Sequence, residues 1–131
     1  MKYTLRQNGN VTIIDVYGRI SLDEANSEQE PPLRVVVREL VKNGSRKLVL
    51  NLGGVTYVDS SGIGEFISCF ATVRKHGGAL KITNPPDQVK ELLRLTRVDT
   101  IINVTRDEAA AINSYRKVVK TTIPSPSYLE P

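Results

Sequence analysis

The run Lys47-Leu48-Val49-Leu50-Asn51-Leu52 constrains the fold more than any other part of the chain. Its apolar residues barely alternate with polar ones, so both faces of an extended segment would need cover. Such a run fits a central strand. Gly53-Gly54 is expected to break it, with Val55 to Val58 as a second short extended piece.

The flanking segments supply the rest of one layered domain. Thr4 to Gln7 and Val11 to Tyr17 are β-prone, and Asn8-Gly9 between them is a tight-turn signal, which predicts an opening hairpin. After Pro31-Pro32, residues Leu33, Val36, Val37, Leu40 and Val41 form one helical apolar face, closed by Gly44. Ser61 to His76 reads as a second helix with Ile63, Phe66, Ile67 and Phe70 as its buried stripe, ended by Gly77-Gly78. Ala79 to Thr83 returns as a strand. Asn84 and Pro85 are expected to open a helix with Val89, Leu92, Leu93 and Thr96 inside. Ile101 to Val104 is a short strand, and Thr105-Arg106-Asp107-Glu108 matches a capping box before a last helix reaching Val119. A hairpin followed by alternating helix and strand predicts an α/β domain with a mixed sheet. The domain is expected over residues 1–119, with a flexible Pro/Ser-rich tail over 120–131.

Composition excludes several functions. The formal net charge is +4, yet no run of five like charges occurs, Trp is absent and Phe numbers 2. That argues against direct nucleic-acid binding. The one cysteine, Cys69, lies among apolar residues and cannot form an internal disulfide, which suits a reducing compartment. No stretch approaches the roughly 18 apolar residues of a membrane span. The expectation is a cytoplasmic protein without a cofactor or metal site, because no Cys or His pair has metal-ligand spacing.

The segment with chemical potential is Asp59-Ser60-Ser61-Gly62, where an extended run meets a helix. The first N–H groups of a helix have no partners within it, the helix dipole favours negative charge there, and glycines allow close approach. Residue type and spacing alone favour a plain helix cap at Asp59 or Ser60. A nucleophilic serine needs a leading glycine in Gly-x-Ser-x-Gly, and Val58 and Asp59 stand there instead. His76, the only histidine, lies a helix length away. No catalytic residue set emerges. Asp23, Glu24, Glu28 and Glu30 cluster without the alternation of a calcium loop.

Tyr17-Gly18-Arg19-Ile20, Leu48 to Leu52, Val55 to Gly64, Gly77 to Ile82 and Val89 to Leu93 together resemble the STAS family, named for sulfate transporters and anti-sigma factor antagonists. The resemblance is to its free-standing bacterial members. It implies a sheet with helices packed on one face. It also implies a non-catalytic partner switch. An anti-sigma factor that is also a serine kinase phosphorylates the first serine after the aspartate, here Ser60. The unphosphorylated antagonist binds that anti-sigma factor, and a metal-dependent serine phosphatase resets it. Asp59, Ser61, Gly62 and Ile63 are the expected partner contacts. Ser21 and Asp23 join them, in an acidic stretch longer than in compact members. A non-switching scaffold, or an accessory subunit of a lipid-transport or signalling complex, is the alternative within the same fold.

Overall fold

In a computed structural model, residues 1–21 and 31–122 are described. Strand β1 (Lys2–Asn8) turns back through Gly9 and Asn10 into β2 (Val11–Ile20), pairing Asn8 with Val11 and Lys2 with Tyr17. The chain then forms α1 (Leu33–Lys42), β3 (Lys47–Val58), α2 (Ser60–Lys75), β4 (Ala79–Thr83), α3 (Asp87–Leu95), β5 (Asn103–Thr105) and α4 (Glu108–Thr122). The sheet order is β1-β2-β3-β4-β5. Only β1 runs antiparallel to its neighbour, so the sheet is mixed, as expected.

The unbroken apolar run is explained by burial on both sides. Leu48, Leu50 and Leu52 face one core with Ile14, Val16, Leu80 and Ile82, against α1, α2 and α3. Val49 and Ile13 face the other way, into a smaller core with Ala111, Ile112 and Tyr115 of α4. Tyr115 fastens this second layer, its hydroxyl lying 2.7 Å from the Leu48 carbonyl and 2.8 Å from that of Ala79. Helices on one face therefore describes α1 to α3 only; α4 crosses to the opposite face.

Several boundaries differ from expectation for local reasons. Gly53-Gly54 does not break β3, which continues to Val58 through register shifts against β2. Gly54 is needed there because a Cβ would overlap the ring of Tyr17. In α2 the buried stripe is Ile63, Phe66, Cys69 and Val73, while Ile67 stays exposed. Asn84 does not cap α3: it takes a left-handed φ of 57°, and the helix starts at Asp87 after Pro86. Edge strand β5 begins at Asn103, two residues later than expected, because Val98–Thr100 form a 3-10 turn that leads into it. The capping box is replaced by a simpler cap. Asp107 accepts from Ala110 N–H at 2.8 Å, and Glu108 turns instead to Arg6, 2.7 Å away. Helix α4 runs past the expected boundary at residue 119 to Thr122, and residues 123–131 lie outside the described residues.

Candidate functional site

Ser60 is the first residue of α2 and is exposed. Its setting is built by Asp59 before it. Asp59 is extended, and one of its carboxylate oxygens accepts from Ser61 N–H at 3.0 Å, Gly62 N–H at 3.1 Å and the Ser61 hydroxyl at 2.6 Å. The cap thus takes the second and third orphan donors of the helix, and the Asp59 carbonyl accepts the first helical bond from Ile63 N–H at 3.0 Å. The Ser60 N–H, which the cap leaves, stands beside the Ser60 hydroxyl at the positive end of the helix dipole.

The floor beneath this turn is Ile20, the last residue of β2. Its carbonyl accepts from Asp59 N–H at 3.4 Å. A Cβ on Gly62 would overlap that same carbonyl oxygen and press on Val58. Gly62 is therefore a buried packing residue that lets α2 sit on the end of β2, and the expected room for a partner is not there. Gly64 is the open position: it is exposed, and a Cβ would meet nothing within 4 Å.

The other expected contact residues divide. Ser61 is half-buried and its hydroxyl is committed to Asp59. Ile63 is 8% exposed and belongs to the core. Ser21 is also buried, at 4%, so it is not part of an open contact surface. Asp23 lies outside the described residues. Among the expected set, then, the structure brings Asp59, Ser60 and Ser61 together at the surface and turns Gly62 and Ile63 inward.

Glu65 is a residue that motif reading missed. It is buried in α2, accepts from the backbone N–H of Arg34 at 3.0 Å and pairs with the Arg34 guanidinium. The available signal was its isolation: it is the only charged residue in α2 before Arg74, set within the stripe Gly62, Phe66, Cys69.

Among the described residues, no histidine or thiolate lies beside Ser60 to act as a general base. His76 caps the far end of α2, about 24 Å away by helical rise, with Nδ1 2.9 Å from the Thr72 carbonyl. Burial pushes the Cys69 thiol pKa well up, so no thiolate stands in for one. Among the described residues, no group of three His, Cys, Asp or Glu side chains could hold a metal ion. Likewise, no described helix is long and apolar enough to cross a membrane.

Residues 2–111 match the STAS domain family. The chain belongs to that family. A relative at 32% identity over 100 residues, covering 76% of this chain and 86% of its own, is the anti-sigma-B factor antagonist of Bacillus subtilis strain 168. Among solved structures, an anti-sigma factor antagonist from Mycobacterium paratuberculosis shares the fold at TM-score 0.76 and 17% identity, covering 88% of this chain and 93% of its own. The Bacillus cell fate determinant SpoIIAA, solved in its phosphorylated form, does so at TM-score 0.63 and 16% identity, covering 87% and 99%. The STAS fold places the Asp59-Ser60 turn at the carboxyl end of β3, an interior strand, as the crossover geometry requires.

Proposed function

We propose that this chain is an anti-sigma factor antagonist whose activity is switched at Ser60. The observation that carries the reading is an exposed serine at the start of a side-chain-capped helix, with no histidine or thiolate base beside it among the described residues. Such a hydroxyl receives a group from another protein's active site. Unphosphorylated, the chain binds an anti-sigma factor that is also a serine kinase and thereby frees the sigma factor. Phosphorylation of Ser60 by that partner ends the complex, and a metal-dependent serine phosphatase restores it. The Bacillus subtilis relative, an anti-sigma-B factor antagonist, and the existence of a phosphorylated form of SpoIIAA support this reading.

The electrostatics agree. A phosphate adds roughly −1.5 to −2 charges beside Asp59. In a closed interface that repulsion costs several kcal/mol, on the order of a lost complex. Within the folded chain the helix start tolerates the same charge. The switch therefore breaks the complex and leaves the domain folded.

Intact-mass measurement after incubation with the cognate anti-sigma kinase and ATP tests this. The expected result is the gain of one phosphoryl group, absent in Ser60→Ala, with loss of partner binding in the modified chain. A Ser60→Ala chain that still gains phosphate, or a modified chain that binds as before, overturns it. Partner binding with no modification at all would point to the non-switching scaffold instead.

A further inference from the structure

Helix α4 covers only the half of its sheet face around Val11, Ile13 and Val49. Further along the same face, toward the carboxyl ends of β2 and β3, the sheet is bare among the described residues. Tyr17 and Tyr57 are 45% and 42% exposed there. Tyr17 stands opposite Lys2 on β1 and opposite Gly54 on β3, so residues of three strands meet in one patch. The Tyr17 ring lies over Gly54. Arg19 pairs with Tyr57 in the sheet register, and its guanidinium carbon sits 4.2 Å above the Tyr57 ring centroid.

The charges of this patch are one-sided. Lys2 and Arg19 are exposed, and neither forms an ion pair with a carboxylate among the described residues. The neighbouring Arg6 differs, being shared between Asp15 and Glu108. A guanidinium stacked on an aromatic ring is held flat with its N–H edges outward, the geometry that grips a carboxylate through two parallel bonds.

We propose that this open half-face, built from Lys2, Tyr17, Arg19, Gly54 and Tyr57, is a docking surface for an acidic segment of a protein partner. Carboxylates pair with Arg19 and Lys2, and the segment's apolar parts lie on the exposed Tyr17 ring. Nucleic acid is the poorer fit. Two cations neutralise few phosphates, and the outer face of the Tyr57 ring is already taken by Arg19, so it cannot stack a base. The surface is on the opposite side of the sheet from α2 and does not depend on Ser60 being a phosphoacceptor.

The test is backbone amide NMR on the isotope-labelled, unphosphorylated full chain, titrated with a short synthetic Glu/Asp-rich peptide. Shifts are expected at Lys2, Tyr17, Arg19, Gly54 and Tyr57, weakening as salt is raised. Arg19→Ala should loosen the peptide about tenfold, the size of one charged contact. Lys2→Ala, outside the core, should act in the same direction and serves if Arg19→Ala folds poorly. Arg97→Ala, a cation elsewhere on the surface, should change nothing. Shifts confined to other regions, or an Arg19→Ala chain that binds equally well, overturn the proposal. So does a single-stranded oligonucleotide that perturbs the same residues more tightly. Perturbation of the patch in the free chain on replacing Asp23, Glu24, Glu28 and Glu30 with Ala would assign it to the chain's own acidic segment, and would overturn it too.

Discussion

The backbone N–H of Arg34 donates to Glu65 at 3.0 Å, so the first turn of α1 is capped by a side chain of α2. Helix α1 has no cap of its own, because Pro32 precedes it and offers no side-chain acceptor. The Arg34 guanidinium adds an ion pair to the same carboxylate. The two helices are thereby joined at a point five residues beyond Ser60.

Removing that carboxylate should loosen the domain. Glu65→Ala strips a buried acceptor from the Arg34 N–H and its charge from the Arg34 side chain, a loss of about 2 kcal/mol. Glu65→Gln keeps an acceptor and should lose roughly half as much. Urea unfolding followed by circular dichroism measures both, and equal stability of all three chains would contradict the role given to Glu65.

Two glycines two residues apart in α2 should respond in opposite directions. Gly62→Ala drives a methyl group into the Ile20 carbonyl, and displacing that backbone costs about 2 kcal/mol. Gly64→Ala places its methyl in open space within a helix and should stabilise by about 0.5–1 kcal/mol. Their melting temperatures should therefore straddle that of the parent chain.

A negative charge at Ser60 should not unfold the protein. Ser60→Asp sits at an exposed helix start and gains about 0.5 kcal/mol from the dipole, offset in part by Asp59 beside it. The expected melting temperature is unchanged within a few degrees. A collapse of stability would mean that the proposed switch acts by unfolding rather than at the interface.

Acid should be felt at Asp15. Hydrogen bonds from Arg6, at 2.5 and 2.9 Å, hold its carboxyl below the usual aspartate value of 3.8, and Asn51 adds another at 2.7 Å. Because the folded value is depressed, the stabilisation is complete above about pH 4 and fades as pH falls through the folded value. Asp15→Asn should be less stable at neutral pH and should lose less on acidification. Thermal melts between neutral and strongly acidic pH test the slope.

What the residues disclosed in advance followed from local chemistry. Asp59 reads as a cap from its place before a helix, and the double-sided burial of Leu48 to Leu52 foretold cover on both faces, which α4 completes. The failures nearest the site are long-range. Gly62 looks like an opening until Ile20, forty-two residues earlier, is seen beneath it. Gly53-Gly54 looks like a break until the Tyr17 ring covers Gly54 from the neighbouring strand. Glu65 carries no sign of its partner until α1 brings Arg34 to it. Spacing along a chain carries no record of which strand end lies under which helix start.

The anchors on either side of residues 22–30 have a consequence for how such proteins diversify. Upstream, Ile20 is paired with Val58 and bonded to Asp59; downstream, Arg34 is fastened to Glu65. Both anchors grip the same turn and helix, so the points where the chain leaves and re-enters the domain are held together. Doubling its length adds only about 0.6 kcal/mol of closure entropy. Length changes between these anchors therefore leave the Asp59-Ser60 turn where β2 and α2 hold it.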